Sequence, residues 1–165
     1  MNFYLISNSY KSFYLFRREI INELSKKYNV ILIANEDRYL KYFNKKYECH
    51  YLNNLFNNKN IFYNLILVFK ILSIFIRKKP NVVQTYTIHP NLLCIPIAKI
   101  FFSKTSAMIT GMGATSVSKN LILKRIIDIF YKFSFLFCDH IIYVNEHDKK
   151  YFHNNLKIKV KNTNI

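Results

Sequence analysis

Residues Asn2–Ala34 read NFYLISNSYKSFYLFRREIINELSKKYNVILIA, and this stretch decides the fold. Asn2–Ser7 is a short apolar run of strand length. Tyr14–Tyr28 then sets Leu15, Phe16, Ile20, Ile21 and Leu24 at helical spacing. Arg17, Arg18, Glu19, Glu23, Lys26 and Lys27 fall mostly on the other side. Val30–Ala34 is an unbroken, largely β-branched run, the pattern of a strand covered on both faces. Strand, helix and strand in this order make a βαβ unit, which lays two parallel strands side by side.

The alternation continues outward from this unit. Asn35 is placed to cap a helix with Glu36 and Asp37 in its first turn. Glu48–Leu52 is a weak third strand. Asn60–Lys79 is a long apolar helix that ends in Arg77, Lys78 and Lys79 and is stopped by Pro80. Val82–Thr85 is a fourth strand, Asn91–Phe102 a short apolar helix and Thr105–Thr110 a fifth strand. Gly111–Ser118 is a loop that holds both glycines of the chain. Lys119–Cys138 is a helix with Lys124, Asp128 and Lys132 on one polar stripe against a wide apolar face. Ile141–Val144 is a sixth strand, Asn145 caps a last helix, and Lys157–Val160 starts a seventh strand. The expected fold is α/β: a Rossmann-like three-layer α/β/α domain with a parallel sheet of six or seven strands.

Composition narrows the class. The 165 residues are 51% hydrophobic and 21% charged, a globular rather than a disordered mixture. Lys and Arg number 25 against nine Asp and Glu, for a net charge of +16. That excess points to an anionic partner, while the abundance of Lys, Asn, Ile, Phe and Tyr also fits AT-rich codon usage. Cys49, Cys94 and Cys138 form no C-x-x-C pair and read as reduced thiols. No metal site and no signal peptide are expected. The longest apolar stretch, Ile61–Ile76, is interrupted by Asn64 and Lys70 and falls short of the ~20 residues that cross a bilayer.

In a doubly wound sheet, ligands bind beyond the carboxyl ends of the strands. The loops that reach that edge are Asn8–Ser12, Tyr86–Pro90, Thr110–Ser118 and Asn145–Asp148. They are the most polar segments of an apolar chain. Asn8, Ser12, Ser118 and Asn145 also fit helix caps, and His89 before Pro90 also fits a turn. Gly111 and Gly113 lie between a strand and a helix, where a loop and helix N-terminus suit either a phosphate or a structural turn. The first turn has no G-x-G-x-x-G, so no dinucleotide cofactor is expected.

Four segments carry a family resemblance: SFYLFRREIINELSKKYNVILIA (Ser12–Ala34), VVQTYTIHPNLLCIPIAKIF (Val82–Phe101), MITGMGATSVS (Met108–Ser118) and YKFSFLFCDHIIYVNEHDKKYF (Tyr131–Phe152). Together they resemble the N-terminal, acceptor-side domain of bacterial family-4 glycosyltransferases of GT-B fold. The likeness is strongest to enzymes that add N-acetylgalactosamine or galactose to undecaprenyl-diphosphate oligosaccharides. Arg17 matches the family's Phe-Arg element, the Thr110–Gly113 loop its TGLG element, and Asn145 the Asn of F-x-N-x-x-D/N.

The resemblance implies Asn8, Ser9, Arg17, His89, Thr110, Gly111, Gly113 and Asn145 as substrate-binding residues, with His147 and Glu146 as catalytic candidates. It implies residues 1–160 as the domain and 161–165 as the start of a linker, with the donor domain and its nucleotide-sugar contacts absent from the chain. It also implies a lipid-linked or glycan acceptor, a cytoplasmic location on the inner face of the membrane, and no further cofactor. The residues themselves leave two alternatives open: a non-catalytic basic module for membrane or nucleic acid, and an inactive gene fragment. No RNP, helix-turn-helix or zinc signature supports nucleic acid, and none is expected as a partner.

Overall fold

The computed structural model of the chain describes residues 1–57, 60–111, 121–158 and 162–164. Seven parallel strands form one sheet. They are β1 (Asn2–Ile6), β2 (Asn29–Ala34), β3 (Glu48–Tyr51), β4 (Val82–Tyr86), β5 (Lys104–Ile109), β6 (His140–Tyr143) and β7 (Asn162–Asn164). Their order across the sheet is β3-β2-β1-β4-β5-β6-β7. Among the described residues the helices are α1 (Tyr10–Phe16), α2 (Arg18–Ser25), α3 (Ile61–Arg77), α4 (Ile88–Ile100), α5 (Leu121–Phe135) and α6 (Glu146–Lys150), the last continued by a π turn at Tyr151–Asn155. The Rossmann-like architecture is the one expected.

Right-handed crossovers fix which face each helix covers. Tyr4, Ile6, Ile31, Ile33 and Val83 pack against Leu67, Ile71 and Phe75 of α3 and against Cys94, Ile97 and Ala98 of α4. Farther along the same face, Ala107, Ile109, Ile141 and Tyr143 meet Ile95 of α4, Tyr131 and Phe135 of α5, and Phe152. Thus α3, α4 and α5 form one layer, with α4 between the other two. On the opposite face Leu5, Leu32 and Ala34 bury Tyr10, Phe13 and Ile21 of α1 and α2.

Four local readings are corrected. The helix expected at Tyr14–Tyr28 starts at Tyr10 and breaks at Arg17, whose backbone leaves the helical region (φ −137°, ψ 5°). The Arg17 side chain folds back under the chain instead, with Nη1 donating to the Ser12 carbonyl at 3.1 Å and to its hydroxyl at 2.8 Å. Asp37 does not open a helix. Its two carboxylate oxygens accept from Tyr39 N and Lys11 N, both at 2.8 Å, and only a 3₁₀ turn at Leu40–Tyr42 follows. Helix α4 starts at Ile88, because Pro90 sits in the first turn where no intrahelical N–H is needed. The edge strand lies at Asn162–Asn164, beyond the Lys157–Val160 expected and within the segment expected as linker.

Candidate functional site

The strand order reverses between β1 and β4, so the loops after these strands diverge to opposite faces and leave a crevice at the carboxyl edge. After β1, Ser7 is fully buried, Asn8 is half-buried, and Ser9 caps α1 by accepting from Ser12 N at 3.2 Å. Beyond β4, Thr87 holds a positive φ of 70° and its hydroxyl has no partner among the described residues. His89 follows in the first turn of α4. Its Nδ1 bonds the Phe56 carbonyl. Since a carbonyl only accepts, that nitrogen carries a proton and donates.

After β5, Thr110 is exposed and Gly111 adopts φ 124°, a conformation that favours glycine. Gly113 and the rest of its loop lie outside the described residues. Beyond β6, Asn145 caps α6: its Oδ1 accepts from Asp148 N at 2.8 Å and its Nδ2 donates to Asp148 Oδ2 at 2.9 Å. Glu146 and His147 stand exposed on that short helix, His147 at 85% and 3.8 Å from the Asp148 carboxylate.

One cavity gathers part of this set. A space of about 350 Å³ is lined by Phe16, Arg17, Ile20, Met108, Thr110 and Val144. It lies where the α1–α2 corner meets the ends of β5 and β6, on the face away from α3, α4 and α5. Arg17 and Thr110 are therefore brought together, while Ser9 and His89 do not line the cavity and Asn145 only adjoins it through Val144. Sequence reasoning did not find Phe16, Ile20, Met108 or Val144. Strand alternation puts Met108 and Val144 on the face opposite Ala107, Ile109 and Tyr143; it does not say what lies over them.

Arg17 is the unusual group of this cavity. It is 6% exposed and its guanidinium carbon lies 4.1 Å from the Tyr86 ring centroid. Burial lowers its pKa, and the nearby Tyr86 opposes that shift. The Tyr86 hydroxyl is itself buried without a partner among the described residues, and burial pushes its pKa up to about 12.

A second surface lies on the helical layer. In α3, Leu67, Ile71 and Phe75 face the sheet, while Phe62, Leu65, Ile66, Phe69 and Ile76 lie half a turn away and are 45–72% exposed. The same holds in α5, where Tyr131, Ser134 and Phe135 are buried and Ile126, Ile129, Phe130 and Phe133, with Leu136 just past its end, are 46–80% exposed. Arg77, Lys79, Arg125 and Lys132 are exposed beside these stripes. Among the described residues no helix is long and apolar enough to cross a membrane.

No family model and no curated protein matches the chain. Solved structures do match, over its whole length. A UDP-N-acetylglucosamine 2-epimerase from Rickettsia bellii superposes with a TM-score of 0.68 at 15% identity, covering 99% of this chain and 44% of its own. Sucrose-phosphate synthase from Thermosynechococcus elongatus gives 0.71 at 8% identity, covering 100% and 48%. A lipopolysaccharide outer core galactosyltransferase in its apo form gives 0.67 at 11% identity, covering 100% and 45%. At these identities the likeness establishes the fold: an α/β Rossmann-like half domain of the GT-B type. The chain spans less than half the length of each of these proteins.

Proposed function

We propose that the chain is the acceptor-side half of a glycosyltransferase that moves a sugar from a nucleotide-sugar to a lipid-linked or surface-glycan acceptor. The acceptor is met at the inner face of the cytoplasmic membrane. Donor contacts belong to a second Rossmann-like domain, so this half transfers no sugar alone. Asn8, Ser9, Arg17, His89, Thr110, Gly111, Gly113 and Asn145 are proposed to line the acceptor side of the cleft, with His147 and Glu146 nearest the reacting hydroxyl.

The observation that carries the reading is the helical layer. A helix that packs on a sheet ordinarily presents polar residues outward. Here α3 and α5 present phenylalanine, leucine and isoleucine on the side opposite the core. Flanked by lysine and arginine in a chain of +16, that surface suits anionic lipid, at about 1 kcal/mol per nearby basic residue. An acceptor with a lipid anchor is presented at such a surface.

A second reading comes from the fold itself, because structures named UDP-N-acetylglucosamine 2-epimerase share it. An epimerase of soluble nucleotide-sugars has no need of the apolar layer. The two readings separate in membranes of source cells with and without the gene, supplied with radiolabelled nucleotide-sugars. The transferase reading predicts labelled lipid that disappears on deletion and returns on complementation. Unchanged lipid label, with loss of nucleotide-sugar isomerisation, would favour the epimerase.

A further inference from the structure

A guanidinium taken out of water normally comes to rest against a carboxylate, because an uncompensated buried charge is costly. Arg17 has no such partner. All nine aspartates and glutamates of the chain lie among the described residues, and none comes within ion-pair distance of Arg17. Its compensation is meagre: two bonds from Nη1 to Ser12, the face of Tyr86, and the more distant Phe16 ring at 5.9 Å. Among the described residues Nε is buried without a partner, and both bonds to Ser12 use Nη1. Five donors in a planar fork suit two oxygens of one anion, and most of the fork is unused.

This group borders the cavity of about 350 Å³, whose size falls within the range of small-molecule sites. Among the described residues its lining supplies one cation, Arg17, one exposed hydroxyl (Thr110), and apolar walls from Phe16, Ile20, Met108 and Val144. We propose that it is an oxyanion subsite, in which Arg17 holds a phosphate or carboxylate whose apolar body rests on Phe16, Ile20, Met108 and Val144. The oxyanion is common to a prenyl phosphate and to an acidic or phosphorylated sugar. The inference stands on the cavity, independently of the transferase reading, so either can fail without the other.

The test is calorimetric titration of the full chain in solution, with no bilayer present. Geranyl phosphate is compared with geraniol, glucose 1-phosphate and glucuronate with glucose, and inorganic phosphate is titrated alone. At least one organic oxyanion is expected to bind tenfold or more tightly than its neutral counterpart, and the better pair identifies the body as prenyl or sugar. Arg17→Met is expected to abolish the preference and Arg17→Lys, which keeps the charge without the fork, to retain part of it. Because Arg17 is buried, Val144→Glu provides the variant that folding does not compromise: Val144 is 53% exposed at the rim. It is expected to weaken the oxyanion tenfold or more, with Lys45→Glu, the control on the exposed surface away from the cavity, leaving binding unchanged. Equal binding of charged and neutral probes by the wild type, or an undiminished preference in Val144→Glu, would overturn the subsite.

Discussion

Replacing Phe62 and Phe69 together with glutamine removes the two largest side chains from the outward stripe of α3. Full burial of a phenylalanine contributes about 1.5–3 kcal/mol. In the free chain these residues are 72% and 69% exposed, so some two-thirds of that value is still available for a lipid surface. The pair then contributes about 2–4 kcal/mol, roughly a 30- to 700-fold change in vesicle partition. Glutamine is a good helix former, so stability changes little. The assay is sedimentation with vesicles containing anionic phosphatidylglycerol, with urea unfolding as a check on the fold. Tyr51→Gln removes an aromatic that is 55% exposed on the edge strand β3, away from the layer, and is expected to leave partition unchanged. An F62Q/F69Q variant that folds normally and partitions like the wild type would refute the assignment of the helical layer to lipid.

Three further expectations concern the scaffold. Phe75 is fully buried, with edge-on contacts to Tyr4 at 5.1 Å and Phe101 at 5.6 Å; Phe75→Ala should cost about 3–5 kcal/mol in urea unfolding, and a loss under 1 kcal/mol would contradict its place in the core. Ser9→Ala should cost about 1 kcal/mol and speed amide exchange at Ser12, whose N–H it leaves without its acceptor. Asp139 is governed first by burial, which raises its pKa. Lys99 at 2.5 Å and the Thr105 N–H at 2.8 Å outweigh burial and hold the carboxyl below its ordinary value. Its stabilisation is therefore full above the unfolded pKa near 4 and fades as pH falls through the lower folded value. Asp139→Asn should differ from the wild type at pH 7 and converge with it in acid; a gap that widens on acidification would reverse the sign of the argument.

Much of the fold is legible in the sequence because the apolar runs are so regular. The Val30–Ala34 run is an interior strand between β3 and β1, Asn60 caps α3, and the chain leaves that helix before Pro80 as the residues suggest. What was not legible depends on contacts distant in sequence. Leu15, Phe16, Ile20, Ile21 and Leu24 keep helical spacing across Arg17, so periodicity does not reveal a break made by a side chain folding back to Ser12 and onto Tyr86. Asp37 looks like a first-turn acid, yet one of its acceptors serves Lys11 N, 26 positions away. Of the residues that line the cavity, Arg17 and Thr110 carry a motif that singles them out in the sequence. The apolar walls do not, since Met108 and Val144 are ordinary strand residues until one knows that the α1–α2 corner leaves a cavity over them.

The central claim is that this half domain recognises the acceptor at a membrane and leaves the donor to another domain. It is tested most directly by measuring binding of the full chain to anionic nanodiscs with and without an undecaprenyl-diphosphate-linked sugar, beside titration with UDP-sugars in solution. The account predicts tighter binding to the acceptor-loaded discs and no measurable heat from the UDP-sugars. Equal binding to loaded and empty discs, together with tight binding of a UDP-sugar, would contradict it.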